Sequence, residues 1–420
     1  MPKHVQEIRF LSAGHERVEG LMHRVNAETL YAAHLKQRKG KATGVDGVSR
    51  EDYDRNVTEN ISKLVESMKK FQYRPKPVKR VYIPKGNGKR RPLGIPAYED
   101  RLVQYVMAYL LEAVYEPRFL DCSFGFRPKR SAHDVIRVID RAIMRGNVNW
   151  VLEADIKGFF DNVDQKQLME FLSRDIADKN FLRYTVRFLK SGIMEEGKYY
   201  ESDKGTPQGG LISPILANVY LHYVLDTWMM ETVKPRMKGE MYYVRYADDF
   251  LVLFEYEEDA RKVYDVLGKR LDRYSLELAK DKTRILPIGR NSEGGKEFDF
   301  LGFTFYDTRT RTGTYRLGVR SSKKKLKTKK KNVKEWLKAN MHMPVHEMVD
   351  HLNAKLRGHY SYYGVNGNYE GISGFVRFTK YMTHKYLNKR SQRKSLGWEK
   401  FREIWAEHVS PPRIMVQIWN

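Results

Sequence analysis

The sequence predicts an α+β chain, a split βαβ sheet covered by helices on one face and followed by a long basic helical region. Three observations predict it. A strand-like run, NWVLEADI (149–156), precedes a helical stretch, an apolar hairpin YVRYADDFLVLF (243–254), a second helix and further short strands. That order is the one in which helices cover an antiparallel sheet and leave its other face open to a ligand. From about residue 321 onward the pattern is helical and cationic.

Taken in chain order, residues 1–75 read as polar helices broken by TGVDG (43–47), whose two glycines signal a turn. VKRVYI (78–83) alternates as a strand does, PKGNGKRRP (84–92) carries turn residues among cations, and LGI follows before Pro96. Together they predict a β-hairpin with a basic tip. Leu102, Val103, Val106, Leu110 and Leu111 form the apolar stripe of a helix over about 99–116. GTPQGG (205–210) is a loop, and ISPILANVYLHYVLDTWMM after it is a long amphipathic helix. DARKVYDVLGKRLDRY (259–274) is helical, and LELAKDKTRI and FDFLGFTF supply further short strands.

Lys and Arg number 77 against 52 acidic residues in 420, a formal net charge of +25. Such a surplus points to a polyanionic partner, and nucleic acid is favoured over membrane because no amphipathic or spanning segment stands out. No signal-peptide core and no run of about 18 apolar residues is present, so the expected location is the cytoplasm. Cys122 is the single cysteine, which excludes intrachain disulfides and Cys-rich zinc modules. From Arg311 onward there are 24 Lys/Arg and 7 Asp/Glu, so about +17 of the charge lies there. Its densest part is KKKLKTKKK (323–331), interleaved downstream with Trp336, Trp398, Trp405 and HYSYYGV (359–365). Aromatic rings among cations suit base stacking and cation–π contact; the plainer reading of a charge run is a solvated helix face.

Two carboxylates, Asp248 and Asp249, stand side by side in an otherwise apolar hairpin. Like charges so close repel and raise each other's pKa unless a cation neutralises them. A plain turn would use Asn-Gly or Asp-Gly there. In a split βαβ the end of the first strand lies beside the hairpin, which brings Asp155 to the doublet. Three converging carboxylates suit a pair of Mg²⁺ ions about 4 Å apart, one activating a hydroxyl and the other holding a triphosphate.

At this point the sequence resembles reverse transcriptases. YADD (246–249) is similar to their catalytic box, and six other boxes occur in the family's order: RRPLGIP (90–96), SFGFRPKRSAHDVI (123–136), EADIKGFFDNV (153–163), GTPQGGLISPILANVYL (205–221), LAKDKT (278–283) and FLGF (300–303). Within that family the resemblance is to group II intron-encoded proteins, which join a reverse transcriptase to an RNA-splicing maturase, and it covers roughly residues 25–390. It implies a right-hand polymerase fold. The implied divisions are an N-terminal extension (1–75), fingers and palm (76–310), a helical thumb or maturase domain (311–390) and a short basic DNA-binding remnant (391–420).

The resemblance also implies roles. Asp155, Asp248 and Asp249 would hold two Mg²⁺, with the carbonyl of Ile156 as a further ligand. Lys85 and Arg91 would grip the incoming triphosphate, although a solvated basic hairpin is the alternative for both. Phe160 would lie beneath the sugar and exclude a 2′-hydroxyl, with core packing as the alternative; Phe159 reads as core. Gln208 and Gly209 would underlie the nucleotide and template base. Lys282 would protonate pyrophosphate, or be a surface lysine beside Asp281. Arg127 would touch the template strand, or form a structural salt bridge. Lys323, Lys324, Lys325, Lys355 and Arg357 would meet nucleic acid from the thumb, the last two on a stretch (LNAKLRGHYSYYGV, 352–365) that carries the similarity and also presents His359. Ser213 and Asn218 read as structure and His133 as a core or surface histidine. The role of the N-terminal segment with Gly44, Asp46 and Gly47 stays open between template contact and a structural collar.

The implied partners are group II intron RNA, an RNA template with its DNA primer, dNTPs and a target DNA, with no membrane and an open oligomeric state. Many relatives continue into a Cys/His nuclease. None of its signature is present, so target cleavage is expected from the intron RNA or from existing nicks. Competing readings are an RNA-binding splicing maturase with dispensable polymerase activity, and a host-domesticated reverse transcriptase in defence or repair. Viral RNA polymerases typically carry Gly-Asp-Asp and a small polar residue where Phe160 stands; the loop here reads PQGGLISP, as in intron enzymes, and no accessory motif of retron-type or diversity-generating relatives is seen.

Overall fold

In a computed structural model of the chain, residues 3–84, 90–206, 209–291, 296–390 and 395–419 are described. Eleven strands occur among them: β1 (Val78–Pro84), β2 (Arg90–Ile95), β3 (Trp150–Ala154), β4 (Ile193–Glu195), β5 (Lys198–Tyr200), β6 (Met241–Tyr246), β7 (Asp249–Phe254), β8 (Arg284–Pro287), β9 (Glu297–Phe300), β10 (Phe303–Arg309) and β11 (Tyr315–Ser321). They form three sheets, in the orders β2-β1-β4-β5, β6-β7-β3-β8 and β11-β10-β9.

The second sheet positions the site, and it has the split βαβ layout that the element order predicts. Its strands pair antiparallel, β7 against both β6 and β3, and β3 against β8. Successive side chains on a strand point to opposite faces. Leu152, Ala154, Phe250, Val252 and Phe254 therefore join one apolar core, while Val151, Val244, Leu251 and Leu253 join another. Both faces are covered, where the element order predicts one open to a ligand, and this is why these strands read as continuous apolar runs. The first core continues into the N-terminal helices and helix Tyr98–Tyr115. The second continues through helix Ala132–Arg145 and the β9–β11 sheet into helices Lys323–Ala339, Val345–Tyr363 and Tyr369–Leu387.

Helix Ala132–Arg145 starts from a reciprocal cap, Ser131 with Asp134, a device worth about 1 kcal/mol. The expected hairpin of β1 and β2 is present, with Ile83 opposite Arg91 and Pro84 opposite Arg90. Its tip, with Lys85, lies outside the described residues, as does Gln208. The long helix expected after the PQGG loop is regular only over Ser213–Leu221. It then widens into π-helical turns at His222–Asp226 and Trp228–Val233. The basic segment is helical as expected, and helix Val345–Tyr363 docks on the sheets by its last turn. Tyr362 stacks on Phe303 at 5.5 Å and donates from its hydroxyl to the carbonyl of Leu301, while its own carbonyl meets His133 Nε2 at 2.8 Å.

Candidate active site

The hairpin of β6 and β7 closes through two residues, Ala247 and Asp248, because Tyr246 pairs directly with Asp249. Ala247 is left-handed at φ 58°, a conformation that glycine would adopt without strain. Two neighbours hold it there. Gly125 packs so closely that a Cβ on it would lie 2.2 Å from the Ala247 nitrogen. The second neighbour is Arg245, which is fully buried on β6 and donates from Nη1 to the Ala247 carbonyl at 2.8 Å.

All five guanidinium donors of Arg245 are engaged. Nε and Nη2 grip Asp226 at 2.7 and 2.5 Å, Nη1 also reaches Asn218 Oδ1 at 3.0 Å, and Nη2 also reaches Ser123 Oγ at 2.7 Å. Asn218 in turn donates to the carbonyl of Gly125 at 2.8 Å. Asp226 is as buried as its partner, and the π-helical turn places it there. This network was not singled out from the sequence. Its signal was one arginine in the inward register of an apolar strand.

On β3, Ala154 pairs with Phe250, so Asp155 stands one step further on, across from Asp249. Residues so opposed have Cβ atoms about 5 Å apart. The three carboxylates therefore meet at one end of the sheet. Burial pushes the Asp249 carboxyl up to about 6, reinforced by the charges of Asp248 and Asp155 and opposed by Lys282 and Lys325. Asp248 is raised as well, by burial first and then by Asp155, against the pull of Arg91 and Arg245. Lys282 forms an ion pair with Asp155. Ile156 sits between the bonds Lys157 N–Glu277 O and Ala279 N–Asp155 O, so its own carbonyl is not used in that ladder.

Among the described residues, no three His, Cys, Asp or Glu side chains stand as a ready-made metal-ligand group. The donor set nevertheless fits a hard divalent cation. It supplies carboxylate oxygens whose charge the protein only partly compensates, plus a backbone carbonyl outside the ladder. The Lys282 ammonium, on a largely exposed side chain, is the group that a cation would displace from Asp155.

Beside the acids lies a cavity of about 320 Å³, walled by Arg91, Phe160 and Gly209 together with Phe126, Leu211 and Pro214. Gly209 has φ 106°, and a Cβ there would strike the Gly94 carbonyl at 2.2 Å, so the loop can lie on β2 only as glycine. Phe160 is fixed from behind, where its carbonyl accepts from Thr206 N at 2.8 Å. Phe159 is buried, as expected. Phe126 is a candidate that sequence reasoning missed. It is about half exposed at φ 57°, an aromatic ring facing the cavity in an unfavourable backbone conformation.

The basic thumb residues divide. Lys323, Lys324 and Lys325 are exposed at the start of helix Lys323–Ala339, with Lys325 close enough to lower the pKa of Asp249. Lys355 and Arg357 are exposed on the next helix. Lys355 lies 3.7 Å from the Trp336 ring centre, and Trp336 is about 16 Å along the first helix from Lys325. Of the two readings of Arg127, the structural salt bridge is the one present: the side chain is buried, ion-paired with Glu116 at 2.9 Å, and donates to the carbonyls of Leu120 and Ser123. His359 is likewise buried and does not join the exposed cations.

The sequence profile described as reverse transcriptase (RNA-dependent DNA polymerase) matches residues 83–305, which contain every site residue above except those of the thumb. The group II intron-encoded protein LtrA of Lactococcus lactis subsp. cremoris is 30% identical, the alignment covering 85% of this chain and 72% of that protein. The chain belongs to the group II intron-encoded reverse transcriptases. Protein YkfC of Escherichia coli K12 is 33% identical over 67% of this reverse transcriptase-family chain and 81% of its own length. Nuclear intron maturase 2, mitochondrial, of Arabidopsis thaliana is 29% identical over 33% of this chain and 24% of its own length. No helix among the described residues is long and apolar enough to cross a membrane.

Proposed function

We propose that the chain is an RNA-directed DNA polymerase that also binds its group II intron RNA and assists splicing and retrohoming. The observation that carries this reading is the register of β3 on β7. It sets Asp155 beside Asp248 and Asp249 at the end of the sheet that faces the basic hairpin and the start of the thumb. Asp155, Asp248, Asp249 and the Ile156 carbonyl are the ligands we assign to two Mg²⁺. Bound there, the cations supply Lewis acidity to the attacking 3′-hydroxyl and to the departing pyrophosphate.

The chain's own residues do the rest. Arg91 and Lys85 neutralise the triphosphate, Gly209 and Gln208 lie beneath the nucleotide, and Phe160 blocks a ribose hydroxyl. Lys282, paired with Asp155 at the same end of the sheet, is the residue we assign to give a proton to the leaving group. We divide the chain at about 75 and 390 as the boxes suggest, and move the division expected at 310 to about 321, which keeps the hairpin of β10 and β11 whole on the palm side.

A second reading, a splicing maturase whose polymerase is dispensable, draws support from the cations and rings of the thumb, such as Lys355 on Trp336. Primer extension on an RNA template with Mg²⁺ and dNTPs, run beside a splicing assay on the native flanking RNA, decides between them. Extension together with splicing supports the proposal; RNA binding and splicing without extension favours the maturase. Affinity for RNA should fall steeply with salt, and Lys324→Ala with Arg357→Ala should reduce the log–log slope by about 2.

A further inference from the structure

Behind the central sheet lies a second concentration of arginine that the polymerase reading does not use. Helix Ala132–Arg145 carries Arg137, Arg141 and Arg145 four residues apart on one face, and Arg316 of β11 stands across from them. With Asp140 and Trp419 they wall a cavity of about 390 Å³. Met144 and Arg145 of its wall end the helix that precedes β3, a strand whose first residue, Trp150, is about 17 Å along the chain from Asp155.

Arg141 and Arg145 are exposed and make no hydrogen bond or ion pair among the described residues. Arg137 is partly occupied, with Asp134 at 2.7 Å and the Gln417 carbonyl at 3.1 Å. The Arg316 guanidinium sits 3.1 Å from the centre of the Trp419 ring, whose edge rests against Gly367. Two buried polar atoms of the wall, Asp140 Oδ1 and Trp419 Nε1, have no partner among the described residues. Burial pushes the Asp140 carboxyl up to about 6 although Arg316 and Arg145 pull it down. Unpaired buried acceptors and donors are costly, and an apolar wall would have avoided both.

We propose that this cavity binds one unpaired RNA nucleotide, its phosphate on Arg141 and Arg145 and its base on the Arg316–Trp419 stack. Guanidinium forks suit phosphate oxygens, and a flat ring under a guanidinium is the platform on which unpaired bases stack. The volume falls within the 300–1,000 Å³ range of ligand pockets, near its lower end. Asp140 offers an acceptor to an exocyclic amine, so cytosine, adenine and guanine are admitted ahead of uracil. The inference rests on the RNA-binding part of the reading above. It adds a contact remote from the polymerase cleft.

The test uses the full chain with excess template–primer filling that cleft. Fluorescein-labelled penta-cytidine and penta-uridine ribo-oligomers are compared by anisotropy, and ultraviolet crosslinks are mapped by mass spectrometry. Penta-cytidine is expected to bind about tenfold more tightly and to crosslink within 315–321 or 414–419. Asp140→Ala should erase the preference, and Arg141→Glu with Arg145→Glu should weaken both oligomers about tenfold or more. Primer extension in these variants should match the parent, which shows that they fold. Equal affinity for the two oligomers, or crosslinks confined to cleft and thumb, overturns the proposal. Equal binding of penta-deoxycytidine overturns its assignment to RNA. A parent that extends primers but fails here sinks this inference alone. A parent that crosslinks here but extends nothing sinks the polymerase reading instead.

Discussion

One hairpin carries two opposite treatments of charge. Arg245 and Asp226 are both fully buried and saturate each other, with every guanidinium donor used. Three and four residues further on, Asp248 and Asp249 lie against Asp155 with Lys282, Lys325 and Arg91 nearby, and both are pushed toward protonation. A charge balanced within the protein is scaffold. A charge left unbalanced at the end of a sheet is available to a ligand, and here the first arrangement holds the turn that presents the second.

The sharpest way to break this contrast is to remove the unbalanced charge. Asp248→Asn with Asp249→Asn should lower primer extension by on the order of 10³-fold or more, while the thermal midpoint stays level or rises because a repulsion is relieved. A parallel loss of folding would place these acids with the scaffold and undo the comparison.

The balanced pair should behave in the opposite sense. Arg245→Met strands Asp226 in the core and is expected to cost about 3–5 kcal/mol, measured by denaturant unfolding. Adding Asp226→Leu should restore part of that loss, since a buried pair is more cheaply replaced than halved. A double variant no better than the single one would mean that the turn, not the charge, was being measured.

Phe160→Ala probes the cavity that joins the two arrangements. Discrimination between dNTP and rNTP, as a ratio of kcat/KM, should fall by about 10–100-fold. Unchanged selectivity would remove Phe160 from the sugar.

The smallest effect concerns a buried group far from the hairpin. Burial, helped by the Lys329 charge, holds the His359 imidazole far below its usual range, at about 3. Folded protein then binds fewer protons than unfolded protein between roughly pH 3 and 6.5. Its contribution to stability is present above that window and is lost as pH falls through it, by at most about 1.4 kcal/mol per pH unit. Melting curves from pH 7 to 5 should therefore decline less steeply for His359→Phe than for the parent.

Much of this was legible in the chain. Unbroken apolar runs gave β3, β6 and β7, and their order gave the antiparallel pairing, because side-chain alternation leaves few registers that bury both faces. The acids were legible for the same reason, as charges where an apolar strand should continue. Arg127 stayed open between two readings because a cation in a turn looks identical whether it faces solvent or caps carbonyls. Arg245 escaped because its partners, Ser123, Asn218 and Asp226, lie on three other segments.

The sequence by itself determined which elements form, where negative charge interrupts them, and that the surplus of cations would seek a polyanion. Only the tertiary structure decided which charges cancel. Compensation depends on distances of a few ångströms between residues as much as 127 positions apart, as from Asp155 to Lys282, and local sequence does not encode such distances.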